Sequence, residues 1–262
     1  MRYLRLYLKY NAQNVKSLMS YRADFLMGFL GFLGNQLLGV AFIGFLFSAI
    51  PSLAGWSFDE ILFIYGFAQL PRGLDHVLTD NFWILAWRMV AKGEFDRFLL
   101  RPLPPLFQLV ADRFQPDGFG ELVAGVAVLA IAWGRLGLNM TFGRLAALAI
   151  AVTAGFFIYA GVKLALASLA FWVKNSQGYL FMAYKVGDFS MYPVGVFPKA
   201  LRFVMSFILP FAFTAYYPAA AILGRESMAL GLGGSVLAAA AACLVASLAW
   251  QSGLKAYESA GS

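Results

Sequence analysis

The stretch FLMGFLGFLGNQLLGVAFIGFLFSAI, residues 25–50, runs for 26 positions without a charged side chain and stops at Pro51. At about 1.5 Å per residue, a helix of this length reaches about 39 Å and crosses a hydrocarbon core about 30 Å thick with tilt to spare. Working outward from it, five further apolar runs follow. The second span is placed at 58–78, the third at 119–138, the fourth at 145–173, the fifth at 178–197 and the last at 230–250. The expected fold class is therefore all-α: a polytopic membrane protein with six transmembrane helices in one domain over 1–262.

Composition agrees. Apolar residues make up 61% of 262 residues, charged residues only 13%, and mean hydropathy is +0.72, outside the range of soluble domains. The net charge of +7 gathers at the ends of apolar runs and forms no patch interleaved with aromatics, so it marks membrane topology and no nucleic-acid partner is expected. The lone Cys243 lies within an apolar run, which leaves no intrachain disulfide to form. The first 24 residues lack the apolar core and small-residue site of a cleavable signal, so the first span itself is expected to direct insertion.

Residues 1–22 predict a helix with two stripes: Leu4, Leu8, Ala12, Val15 and Met19 on one, Arg2, Arg5, Lys9, Gln13 and Lys16 on the other. The stripes centre about 100° apart, which suits a helix lying in the membrane interface beside anionic headgroups. The plainer alternative is a basic flank that orients the first span. Basic residues set the orientation. The N-terminal segment carries Arg2, Arg5, Lys9, Lys16 and Arg22, and the loop after the second span carries Arg88, Lys92, Arg97, Arg101 and Arg113, while 51–57 carries none. Both basic segments are expected in the cytoplasm, with 79–118 as a cytoplasmic region and both termini inside. Residues 198–225 are apolar enough to cross but hold Pro210 and Pro218. They are read as an extracytoplasmic re-entrant helical pair; a seventh span is the alternative.

The chemistry is defined partly by what is missing from the sequence. No Gly-Lys dipeptide occurs, so this chain has no phosphate-binding loop of its own. His76 is the only histidine and no Gly-x-Ser-x-Gly elbow accompanies it, so no catalytic residues, metal site or cofactor are expected in this chain. His76 instead joins Arg72, Asp75 and Asp80 in a polar cluster at the end of the second span. Ionisable groups within spans are costly and point to function or to internal pairing. Lys185 and Asp188 stand three apart and share a helix face, and Lys163 lies too deep to reach the interface easily. They read either as groups facing a path or subunit contact, or as an internal ion pair plus a lysine stem. Gly28, Gly31 and Gly34 permit close helix contact in the first span.

Between the second and third spans lies GEFDRFLLRPLPP, residues 93–105, charged and punctuated by proline. Such a segment suits a rigid amphipathic lever whose aromatic side enters a partner's groove, with Phe95 and Phe98 as anchors. A helix that merely lies on the membrane is the alternative.

Four short motifs then occur in order. They are the 93–102 loop, Tyr192-Pro193 followed by Phe197-Pro198, PFAFTAYYPA at 210–219, and the Tyr257-Glu-Ser-Ala-Gly tail. Together with the span pattern, they make the chain resemble the permease subunits of ABC transporters of the type-2 export class over nearly its whole length. That resemblance implies a permease, not an enzyme, in a bacterial cytoplasmic (inner) membrane. It further implies two cytoplasmic ATPase subunits carrying ATP and Mg, and a second permease, identical or homologous. It assigns ATPase coupling to Glu94, Phe95, Asp96, Arg97, Phe98, Arg101 and Pro102, with a smaller contact at Lys174 and Gln177. For the substrate path or gate it leaves Lys163, Lys185, Asp188, Phe197, Pro198, Phe207, Phe211 and Tyr216, the aromatics chosen from position alone. A passive channel or membrane scaffold needs no ATPase and is the alternative from another class.

Overall fold

The computed structural model describes residues 2–20 and 22–259. Side chains of Arg2, Leu4, Val15 and Met19 in the two-stripe reading lie outside the described residues, as do Ala260 and Gly261 of the tail motif. The described residues are helices and turns, apart from one isolated bridge between Leu53 and Trp56.

The helices, in order, are α1 (Arg2–Ser20), α2 (Arg22–Ala49), α3 (Phe58–Thr79), α4 (Asn81–Ile84), α5 (Asp96–Leu99), α6 (Pro105–Ala111) and α7 (Phe119–Arg135). They continue with α8 (Phe142–Ser168), α9 (Ala170–Val173), α10 (Gln177–Asp188), α11 (Lys199–Phe203), α12 (Tyr216–Ile222) and α13 (Gly234–Ala256). Among the described residues, four helical stretches are long and apolar enough to cross a membrane: Arg22–Ala49, Pro116–Arg135, Phe142–Val173 and Ala229–Ala256. The pair Lys199–Ile208 and Phe211–Ile222, bent by 73°, supplies a broken fifth crossing or a re-entrant loop.

Helix α3 sits at the centre. Its start is fixed by a capping box: Ser57 N donates to Glu60 Oε2 at 2.8 Å and Ser57 Oγ accepts from Glu60 N at 3.4 Å. It is buried on nearly every side, with Ile61, Phe63, Ile64 and Phe67 fully enclosed, and it carries more charge than a lipid-facing helix tolerates. Lipid tails are as apolar as leucine, so the hydrophobic effect does not hold such helices together and close backbone approach must. Gly66 provides it: a Cβ there would stand 2.6 Å from Leu129 N of α7. Gly161 does the same for α8 against Ala242 of α13, at 2.8 Å.

Helix α2 keeps only Gln36 and Ile43 buried. Its one deep polar contact is the Tyr65 hydroxyl, which donates to Gln36 Oε1 at 2.8 Å and stands 3.0 Å from Gln36 O. Of the three glycines read as close-contact positions, Gly28 meets Asp117, but Gly31 and Gly34 have nothing within 4 Å. The contact expected at these two is not made within this chain, because α2 turns only one narrow edge to the bundle.

The expected fifth span differs most. Helix α10 ends at Asp188 after 12 residues, about 18 Å, and the chain continues through 3₁₀ turns at Phe189–Met191 and Val194–Val196. Pro193 cannot donate a backbone hydrogen bond, which opposes one continuous helix over 178–197. Thr141 of the Asn-Met-Thr triplet serves as the N-cap of α8, accepting from Arg144 N at 3.3 Å.

Two ends of the bundle are distinguishable. At one, Arg225 pairs with Glu60 at 2.8 Å, Arg135 with Asp59 at 2.8 Å, and Trp56 packs on Tyr216. At the other, Ser176 N donates to Ala86 O at 2.8 Å, Lys174 Nζ reaches Glu258 O at 3.4 Å, and Tyr257 meets Asp96. Tyr3 of α1 packs edge-on against Phe107 of α6, next to that second end.

Candidate functional site

The 93–105 segment is a folded platform. After the π-helical turn Leu85–Met89, Gly93 takes φ +69, a conformation that favours glycine, and turns the chain into α5. Arg88 Nε bonds Glu94 Oε2 at 2.9 Å, and Arg97 Nη2 bonds Asp112 Oδ2 at 2.7 Å while lying over the Phe98 ring. Gln108 of α6 donates from Nε2 to the carbonyls of Phe98 and Leu103, both at 2.8 Å, and so fixes the proline-rich exit.

Phe95 and Phe98 point inward. Both are fully buried, and Phe95 contacts the rings of Phe171, Trp250 and Tyr257 at 5.1, 6.0 and 5.1 Å. This corrects the reading of these two as anchors in a partner's groove. They anchor the segment to the ends of α9 and α13, because an apolar face on a short amphipathic helix is buried more cheaply against the chain's own core than left in water. Sequence reasoning missed the residues that do face outward: Leu100 is 85% exposed and Leu99 46%, beside exposed Arg101 and Pro102. The only signal for them was the Leu-Leu-Arg-Pro run itself.

Asp96 ties this platform to the tail. Its carboxylate accepts from the hydroxyl of Ser259 and, at 2.8 Å, from that of Tyr257. These two bonds hold Asp96 below the usual carboxylate range, while burial and the Asp96 carboxylate push the Tyr257 phenol up to about 12. Lys174, at φ +65, makes the sharp turn between α9 and α10, and Lys174 and Gln177 are exposed at the same end as α5.

A second constellation lies inside the bundle. Arg72, Asp75, His76 and Thr79 recur at i, i+3, i+4 and i+7 on α3 and so share one face. Lys163 of α8 is 1% exposed, with Nζ 2.8 Å from Asp75 Oδ2 and 3.2 Å from Thr79 Oγ1. The Tyr184 hydroxyl donates to the same Asp75 oxygen. Arg72 Nη1 bonds Asp188 Oδ1 at 2.6 Å, and Lys185 reaches Asp188 Oδ2 at 3.3 Å, the shared face expected from their spacing. Lys163, Lys185 and Asp188 thus belong to one polar network that spans α3, α8 and α10. Sequence reasoning did not pair Lys163 with Asp75, which lies 88 positions away, nor did it include Glu121 of α7.

The five aromatic and proline positions read as a gate differ in burial, with Phe197 and Tyr216 in one apolar cluster. Phe211 is fully buried against Tyr159, Tyr216 is buried against Trp56, and Phe207 is 75% exposed beside Phe203. Phe197 packs on Phe189, and Pro198 is exposed. The segment turns by 73° between Ile208 and Phe211.

No curated protein and no solved structure matches the chain. A family profile described as ABC-2 family transporter protein matches residues 33–261, which covers α3, both candidate sites, the bent pair and α13. With its apolar helices, the profile makes this a multi-pass membrane protein and a transport permease. The chain belongs to the ABC-2 transporter family.

Proposed function

We propose that this chain is the membrane-spanning permease subunit of an ATP-driven exporter. Two permeases, identical or homologous, form the path, and two ATPase subunits carrying ATP and Mg dock on the cytoplasmic end. The observation that carries this reading is the convergence of α5, the 174–177 turn and the tail on one end of a family permease, with Leu99, Leu100 and Arg101 left uncovered there. A rigid platform with an apolar exposed tip suits a partner's groove, and its fixation to α9 and α13 carries a tilt of that tip into the bundle.

In this reading the platform end is cytoplasmic and the Arg225–Glu60 end external, with both termini inside and the membrane a bacterial inner membrane. Six crossings follow from it. The chain is at the platform end at Ser176 and at the other end at Arg225, so 177–225 makes one net crossing, built from α10 and the bent pair. That pair closes the outer end.

The test is co-purification in mild detergent from native membranes, comparing the unchanged chain with Leu100→Asp combined with Arg101→Glu. An ATPase bearing a phosphate-binding loop is expected with the first and lost with the second, at equal permease levels. Recovery of the unchanged chain alone would return the choice to a passive channel or scaffold.

A further inference from the structure

The polar network on α3 does not close on itself. It borders a cavity of about 280 Å³ lined by Phe32, Arg72, Asp75, His76, Asp80, Trp83, Glu121, Lys163 and Tyr184. Glu121 is 3% exposed and its Oε2 accepts no hydrogen bond. Its nearest cationic neighbours stand back: His76 Nδ1 is 3.8 Å from Oε2, and Arg72 Nε is 4.0 Å from Oε1. Arg72 directs its short contact to Asp188 instead, and Lys163 directs its own to Asp75. A buried carboxylate with an open oxygen is costly unless a donor reaches it.

The remaining walls are aromatic. Trp83 and Tyr184 pack edge-on at 5.2 Å, Phe32 packs edge-on against His76, and Tyr184 already holds Lys163 Nζ 5.4 Å from its ring centroid. Ring faces attract cations, most strongly where water is excluded. Among the described residues the carboxylates do not gather into a group that could hold a metal ion, whereas an N–H donor on an apolar body matches the open Glu121 oxygen and the three rings.

We propose that this cavity binds a small organic ammonium ion, its nitrogen donating to Glu121 and its apolar part lying against Phe32, Trp83 and Tyr184. It deepens the permease reading, on which it rests for its meaning as the class of cargo.

The experiment uses the purified full chain in mild detergent, without an ATPase, with phenethylammonium chloride as probe and phenethyl alcohol plus matched sodium chloride as the neutral control. Calorimetric titration and thermal unfolding are expected to show binding and a raised Tm for the ammonium ion only. Glu121→Gln keeps the shape of the side chain and should weaken binding about tenfold or more. Trp83→Leu, at a half-buried position, should weaken it several-fold and keeps the test decisive if the first variant folds poorly. Equal effects of ammonium and alcohol, or unchanged affinity in both variants, would overturn the proposal. Because no partner is needed, a negative result here leaves the ATPase co-purification test untouched, and the reverse also holds.

Discussion

Tyr257 donates its hydroxyl to Asp96 across 2.8 Å, joining residues 161 apart and fastening the tail to the helix that presents Leu99 and Leu100. The same ring packs on Phe95 and Phe171, so polar and apolar contacts act at one point. Tyr257→Phe deletes only the hydrogen bond, while Tyr257→Ala removes the packing as well. Carboxypeptidase trimming of the tail in mild detergent should accelerate slightly in the first and strongly in the second. Equal rates in all three proteins would show that the tail is not fastened there.

The latch also has a pH window. Asp96 has its carboxyl lowered from the ordinary 3.8, so its contribution is present above that value and lost as pH falls through the depressed one. Tyr257 is raised from 10.0 to about 12, so its contribution is complete below 10 and lost as pH climbs toward 12. Tail trimming should therefore be slowest on a plateau from about pH 5 to 9 and faster on both sides. In Asp96→Asn the acid-side rise should vanish.

Breaking the Lys163–Asp75 pair should be expensive, because both side chains are almost wholly enclosed. Lys163→Met leaves a lone buried carboxylate and is expected to cost about 3–5 kcal/mol. Adding Asp75→Asn should recover much of the loss. Thermal unfolding in detergent of the two single variants and the double variant measures the coupling, and additive losses would refute it.

Glycines on α3 and α2 should differ in their sensitivity to a methyl group. Gly66→Ala sets a methyl group 2.6 Å from a backbone nitrogen of α7 and is expected to cost about 1–3 kcal/mol by overpacking. Gly34→Ala meets nothing within 4 Å and should leave the Tm of the isolated chain unchanged. The paired Tm measurement checks both.

The long apolar runs were legible because length and apolarity suffice to mark a candidate crossing: residues 25–50, 145–173 and 230–250 fall on the helical stretches Arg22–Ala49, Phe142–Val173 and Ala229–Ala256. The fifth crossing was not, since Pro193 breaks a run whose average apolarity looks continuous. On α3, the closeness of Arg72, Asp75, His76 and Asp80 announced a polar cluster, but nothing local announces that Lys163 and Glu121 arrive from α8 and α7. Phe95 and Phe98 were read as anchors for a partner, and their rings lie in contact with each other. The direction they face depends on Phe171, Trp250 and Tyr257, which lie elsewhere in the chain.

The 12-residue length of α10 has a consequence for biogenesis. A stretch that short, with Lys185 and Asp188 near its end, cannot lodge in the bilayer as an independent unit when it leaves the ribosome. It acquires a stable place only after Arg72 on α3 and Tyr159 on α8 are already in position to receive Asp188 and Tyr184. Docking of α10 is therefore expected to follow that of α3 and α8, so that integration of this part of the chain is ordered in time.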